Sequence, residues 1–317
     1  MAEIDDEGRF RIGHLPTFYH TSPLLMAGVG PAGPIPARWE LFPTGPAMMD
    51  AFAEGRLDIG YIGLPPAMIG IARGVVIRCV AGGHMDGTIL TGRPELRSLE
   101  QQGGDLRATL AQFIGKAVGT PAKGSIHDVI LRHFLRETDL EEEVELTNYK
   151  QADLMVDALA EGELDGAAGT PALAVAAKRF AGAKLLVPPG TLWPNNPSYG
   201  IVAGAKICEE SPERLEAFLK AHEEATQLIR KRPGEAAAIT AKVVGLVGED
   251  FVLETYRLSP RYCAALPPEY IDATMAFVPV LIEHGYVPHR LEVKDVFDLR
   301  FISRVHPGAD HYGEGLA

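Results

Sequence analysis

At 317 residues, with 46% hydrophobic and 23% charged side chains, the chain can bury a large core. That excludes wholesale disorder and favours two lobes over one. A formal charge of −12 repels phosphate backbones and argues against a nucleic-acid partner, although a few local donors can still hold a small anion.

The elements follow in chain order. A strand is expected over residues 10–15, then a polar turn over 16–22 and a helix from Pro23. A second strand covers 38–42 and a further one 75–81, with a short strand at 88–91. Next come a strand over 117–121, a helix over 125–140 and a strand over 144–149. Ile126, Val129, Ile130, Phe134 and Leu135 fall on one face of that helix. A short strand at 199–203 follows. Ser211-Pro212-Glu213 then opens a helix with Ser as cap and Pro at its first position, and Leu215, Phe218, Leu219, His222 and Ile229 form its stripe.

One segment occurs twice. Residues 50–58 read Asp-Ala-Phe-Ala-Glu-Gly-Arg-Leu-Asp and residues 157–165 read Asp-Ala-Leu-Ala-Glu-Gly-Glu-Leu-Asp, with seven of nine positions identical at an offset of 107. Each copy reads as a helix closed by a left-handed glycine, Gly55 or Gly162, then a short apolar strand over 57–62 or 164–168. Each then turns into a proline-started helix, through Gly63-Leu64-Pro65-Pro66 or Gly169-Thr170-Pro171. That is the unit of a doubly wound sheet, and its spacing is too long for a solenoid. We expect two α/β lobes of similar build, with the chain crossing between them at 88–91 and 199–203. Lobe one then comprises residues 9–86 with 199–317, and lobe two residues 87–198.

Ligands in open α/β sheets bind beyond the carboxyl ends of strands, against helix N-termini. Four turns qualify: residues 17–22, 63–66, 120–125 and 169–170. Thr21 and Ser22, Gly63 and Leu64, Lys123 and Ser125, and Thr170 stand in them. Ser22 and Thr170 read as caps before proline, and Ser125 with Asp128 resembles a capping box. His20, His84 and His127 lie in turns facing the cleft. Phe18, Tyr19, Tyr61, Trp193 and Tyr199 are candidates for stacking on a planar ligand.

Other motifs are set aside. Gly119-Thr-Pro-Ala-Lys-Gly-Ser125 has its Lys and Gly in the wrong order for a nucleotide-hydrolysing loop. Cys79, Cys208 and Cys263 show no C-x-x-C pair and read as small buried residues rather than disulfide or metal ligands. His306-Pro-Gly-Ala-Asp-His311 could hold a metal, but a solvated tail is its expected setting, so no metal and no cofactor are expected. No nucleophile elbow or H-E-x-x-H occurs, and no apolar window of about 18 residues is present. The acidic opening is unlike an export signal. The expected location is the cytoplasm, or the periplasm or outer face of a membrane where a signal has been removed ahead of residue 1.

Three stretches in order carry a family resemblance: Arg11-Ile-Gly-His-Leu-Pro16, Met49-Asp-Ala-Phe-Ala-Glu-Gly-Arg-Leu-Asp-Ile-Gly60, and Gly285-Tyr-Val-Pro288 followed by Asp295-Val-Phe-Asp298. With them the chain resembles the substrate-binding proteins of nitrate/sulfonate/taurine-type ABC importers, the group that includes pyrimidine-precursor binding proteins. The resemblance implies a two-lobed type II periplasmic-binding-protein fold with two doubly wound lobes joined by two crossover strands. It implies a monomer that captures a small anionic or heteroaromatic molecule between its lobes and delivers it to ABC permease and ATPase subunits, without catalysis. The alternative is a cytosolic enzyme on the same fold, of menaquinone-pathway or pyrimidine-precursor type. No cysteine-rich motif and no matched acid–base pair supports it. A ligand-sensing module would need a fused output domain for which this chain has no room.

Overall fold

The computed structural model describes residues 8–30 and 33–317; the acidic opening, residues 1–7, lies outside them. Among the described residues ten strands form two sheets. They are β1 (Phe10–His14), β2 (Ala37–Leu41), β3 (Ile59–Ile62), β4 (Ile77–Met85), β5 (Ile89–Gly92), β6 (Ala117–Pro121), β7 (Glu145–Tyr149), β8 (Gly166–Gly169), β9 (Lys184–Val187) and β10 (Pro197–Gly204). The first sheet has the order β2-β1-β3-β10-β4 and the second β7-β6-β8-β5-β9. In each, three strands are parallel and the next is antiparallel and arrives from the other half of the molecule. The plans are the same, strand for strand.

The repeated segment explains why. Its two copies end the helices Gly45–Ala53 and Asp153–Glu161, and feed β3 and β8 respectively. Gly55 and Gly162 close these helices at φ +70 and +80, a conformation that costs other residues dearly. Leu57 and Leu164 then drop into the core. Asp58 N–H donates to Arg11 O at 2.8 Å and Asp165 N–H to Ala117 O at 2.9 Å, which locks each strand to its neighbour. An arginine completes each copy. Arg11 binds Asp58 through two nitrogens at 2.6 and 3.1 Å and donates to the helix-end carbonyl of Gly55 at 2.7 Å. Arg93 reaches Asp165 at 3.3 Å and the Gly162 carbonyl at 2.7 Å.

Helix Pro212–Lys231 covers one face of the first sheet. Its buried Leu215, Phe218, Leu219 and Ile229 pack with Phe10, Ile12, Ile59, Tyr61, Tyr199 and Ile201. Ser211 occupies the cap position but makes no side-chain cap bond, so Pro212 alone starts this helix. β4 is longer than the sequence suggests because residues 261–264 run beside it. Gly82 N–H donates to Ala264 O, Cys263 N–H to Gly83 O and Met85 N–H to Arg261 O, at 2.8–3.2 Å. That segment covers an edge which would otherwise be open. No helix among the described residues is long and apolar enough to cross a membrane.

Two crossovers join the sheets, residues 86–88 and 188–196. Three non-glycine residues in them take positive φ: Asp86 (+58), Trp193 (+62) and Asn195 (+60). Such geometry is tolerated by Asp and Asn but is a true strain for Trp. It persists because the Trp193 ring stacks on Phe277 at 3.9 Å and 5°, and its Nε1–H donates to Ala273 O at 3.0 Å.

The two copies of the repeat should differ in energetic weight. Arg11 and Asp58 side chains are 19% and 10% exposed, whereas Arg93 and Asp165 are 34% and 20%. Asp58→Ala should destabilise by about 2–3 kcal/mol, because it takes the paired carboxylate from a largely buried guanidinium. Asp165→Ala should cost about 1 kcal/mol or less. Urea unfolding checks this; equal losses would show that the two pairs do not differ as their burial says.

Candidate functional site

The four turns lie at carboxyl ends of strands, and the structure brings turns two and three into contact and the first turn near the helix that follows the fourth. Gly63 caps helix Leu64–Ala72 with φ −64 and no side chain. A Cβ there would sit 3.2 Å from Ile126, the first residue of helix Ile126–Glu137, and 3.1 Å from Ser198 O. Turn two of lobe one thus presses on turn three of lobe two, and Leu64 is buried beside it. Phe18, in the first turn, stands edge-on to Phe251 at 5.5 Å and packs in a cluster with Ala172, Val175 and Ala176 of helix Pro171–Ala181. Turn one thus shares an apolar cluster with the helix that follows turn four.

Each turn is held by its own chemistry. Thr170 Oγ1 accepts from Leu173 N–H at 3.2 Å, a true cap. Ser125 Oγ likewise accepts from Asp128 N–H at 3.3 Å. The returning half of that box goes elsewhere. Asp128, fully buried, accepts from Gly124 N–H at 2.9 Å, Asn148 at 2.7 Å, Arg132 at 2.9 Å and the Tyr286 hydroxyl at 2.9 Å. Tyr286 belongs to the C-terminal third, so this carboxylate also ties lobe two to lobe one. The sequence offered no sign of it. Lys123 is exposed at the edge of this turn.

The first turn departs from expectation. Ser22 is not a cap: it is the first residue of helix Ser22–Met26, and Thr21 holds the cap position without a side-chain cap bond. Thr21 is drawn inward instead, with Oγ1 2.7 Å from His222 Nδ1 and 3.3 Å from the Tyr61 hydroxyl. His222 Nε2 lies 2.8 Å from Gly82 O and must donate to it, which leaves Nδ1 to accept from Thr21. His222 was legible only as a polar residue inside an apolar stripe.

Around Thr21 lies a layer of rings. His20 packs on Tyr199 at 4.0 Å and lies near Tyr61 at 5.9 Å and Tyr19 at 4.9 Å. Tyr19 touches His84 at 4.9 Å, and His84 Nε2 lies 2.7 Å from Ser259 O. His127, across the junction, has Nδ1 3.0 Å from Thr88 Oγ1 at the crossover. Tyr61 and Tyr199 sit in the core beneath helix Pro212–Lys231. Trp193 has one ring face on Phe277 and is a rivet between the lobes in this structure.

Burial keeps every imidazole of this layer neutral. It pushes His84 down to about 3 and His127 and His222 to about 4, and holds His20 well below its ordinary value, with neighbouring histidines adding to the effect. Among the polar atoms buried here without a protein partner are Thr17 Oγ1, His20 Nδ1, Ser22 Oγ and His84 Nδ1. Such atoms are costly unless something else satisfies them. The arrangement can bind through hydrogen bonds and ring faces, with no buried cation in it.

These histidines also set a pH dependence. Their folded pKa values lie below the unfolded value of about 6.5, so the unfolded chain takes up protons first as pH falls. Stability is therefore full above pH 6.5 and falls below it, by about 1.4 kcal/mol per histidine per pH unit. Unfolding free energies from urea titrations at pH 7.5 and 5.5 should differ by several kcal/mol, with the midpoint lower at pH 5.5. A midpoint that stays constant would mean these rings protonate freely in the folded chain.

Comparisons with known proteins agree with this geometry. A model of the NMT1-like family matches residues 17–245. A binding protein of Brucella abortus (strain 2308) is 27% identical over 244 residues, which are 73% of this chain and 70% of that one. The periplasmic nitrate-binding protein NrtA from Synechocystis PCC 6803 superposes with a TM-score of 0.75 at 15% identity, over 94% of this chain and 88% of that chain. The alkanesulfonate-binding protein SsuA from Xanthomonas axonopodis pv. citri, bound to MOPS, gives 0.72 at 19% identity, over 91% and 98%. The fold is the two-lobed type II periplasmic-binding architecture that the sequence resemblance implied.

Proposed function

The chain belongs to the NMT1-like family, and on that premise we propose that it is the solute-capturing component of an ABC importer, working outside the cytoplasm as a monomer. Residues 9–86 with 199–317 move as one lobe and residues 87–198 as the other. They close on a small molecule and hand it to permease and ATPase subunits. The observation that carries this reading is the close approach of Gly63 to Ile126 across the two sheets' strand-end turns, with Phe18 in one cluster with helix Pro171–Ala181, beside buried polar atoms with no protein partner.

The ligand's chemistry follows from the layer that would meet it. Neutral histidines and phenols, hydroxyls at Thr21, Ser22, Ser125 and Thr170, and the N-terminus of helix Ile126–Glu137 offer hydrogen bonds but no ion pair. Such a site suits a small planar heteroaromatic molecule of low charge better than a compact anion such as nitrate. Of the residues singled out from sequence, Phe18, Tyr19, His20, Thr21, Ser22, Gly63, Leu64, His84, Ser125, His127 and Thr170 lie closest to the junction in this reading. Tyr61 and Tyr199 back it from the core, Trp193 rivets the crossover, and Lys123 stands at the rim.

Mechanism here is equilibrium, not chemistry. Contacts made only in the closed form give the ligand a differential affinity, and that alone shifts the open–closed balance. Thermal-shift screening against heteroaromatics, sulfonates, carboxylates and nitrate should find a stabiliser worth about 2.7 kcal/mol at 100 times its Kd. The compound should be recovered unchanged after long incubation; its conversion would favour the enzyme alternative. Gly63→Val fits the local backbone but places a branched side chain against Ile126 and Ser198. It should fold normally and raise Kd at least about tenfold, or 1.4 kcal/mol. Unchanged affinity would mean that ligand capture does not need the two turns to meet.

A further inference from the structure

Cys263 and the His306–His311 stretch lie more than 40 residues apart in the C-terminal third, yet their ligating atoms converge. Cys263 Sγ lies 3.4 Å from His306 Nε2 and 3.6 Å from His311 Nδ1, and the two nitrogens are 3.0 Å apart. A tetrahedral zinc ion, with Zn–N of about 2.0–2.1 Å and Zn–S of about 2.3 Å, requires edges of about 3.3 Å between nitrogens and about 3.5 Å from sulfur to nitrogen. The observed triangle matches those edges to within a few tenths of an ångström. A fourth donor stands ready: Glu223 Oε1, on helix Pro212–Lys231, is 3.9 Å from both nitrogens. From these observations we propose that Cys263, His306 and His311, with Glu223 as fourth ligand, form a zinc(II) site that staples the C-terminal tail to lobe one.

The surroundings suit a thiolate–metal centre. Two backbone N–H groups, of Ala265 and His311, point at Cys263 Sγ at 3.4 Å each, as second-sphere donors to a ligating thiolate do. Glu223 is held for the role, because its other oxygen accepts from Ala264 N–H at 3.1 Å. Arg230 Nη2 now lies 3.2 Å from His311 Nδ1, and it has Glu223, Thr226 and the Tyr262 carbonyl to hold it when that nitrogen turns to a metal. The second sphere is incomplete at one point, His306 Nδ1, which is buried without a protein partner. A surface pocket of ≈ 450 Å³ lined by Glu223, His306, Asp310, His311 and Glu314 gives an ion its way in. Residues 307–310 of the tail are exposed, but the two histidines that flank them turn inward, with the His306 side chain 5% exposed and that of His311 33%.

Alone, the thiol is inert, since burial pushes Cys263 up to about 11. It gives up its proton to solvent only when a cation takes its place, so affinity should rise with pH. The family match ends at residue 245, short of Cys263, His306 and His311, and the inference does not depend on what the cleft binds.

The test uses the full chain, stripped with a chelator and titrated with zinc(II) and with cobalt(II). We expect one metal per chain, a raised Tm, and cobalt spectra with a thiolate charge-transfer band and intense tetrahedral d–d bands. Cys263→Ser should abolish the charge-transfer band. His311→Ala, at a half-exposed position that leaves the core intact, should weaken binding at least about tenfold. His289→Ala, an exposed histidine elsewhere, should leave binding unchanged. No stoichiometric binding, a charge-transfer band that survives in Cys263→Ser, or wild-type affinity in His311→Ala would each overturn the assignment.

Discussion

Arg261 stitches the two crossovers together. Its guanidinium pairs with Asp86 in the first and donates to Asn195 Oδ1 in the second at 2.8 Å. Asp86 in turn exchanges bonds with Asn196, by N–H to Asn196 O at 2.9 Å and by Oδ1 from Asn196 N–H at 3.2 Å. With both connections fixed at one point, two sheets of identical plan must face each other with their strand ends inward. Gly63 and Ile126 approach each other for that reason. The positive φ values at Asp86, Trp193 and Asn195 fall in the same few residues.

Around these crossovers the protein is strongly acidic, and its buried charged side chains Asp58, Asp86, Asp128 and Arg230 are each held in an ion pair. The net charge of −12 is spread over exposed side chains, while the cleft layer is made of neutral histidines and tyrosines. Burial is the cause of both the neutrality and the rigidity: rings packed at 4–6 Å hold one another's orientation. The cleft layer and the Cys263 cluster are neighbours along two elements. His222 precedes Glu223 on one helix, and Tyr262, bridged to His84, precedes Cys263 on the segment beside β4. Whatever fixes the tail fixes the back of the cleft floor as well.

Much of this architecture was legible because it is periodic or repeated. The nine-residue repeat announced two equivalent strand positions, and β3 and β8 occupy them. Strand ends and proline-started helices marked the four turns. Long-range partners left no such trace. Ser22 reads as a cap by local rules, but His222, some 200 residues away, pulls Thr21 inward and shifts the helix start by one residue. Trp193 reads as a rim aromatic, and only the fold places Phe277 against it. Cys263 stands more than 40 residues from His306, outside any metal-ligand spacing, and meets it only because 261–264 lie along β4. Each miss is a contact between distant parts of the chain that local patterning does not encode.

If ligand drives the two lobes together about the stitched crossovers, small-angle X-ray scattering of the chain, with and without a stabilising ligand found by screening, should register the movement. The radius of gyration and the maximum dimension should both shrink on ligand addition, and the free form should fit an opened arrangement of two rigid lobes. Identical scattering curves in the presence of saturating ligand would rule closure out.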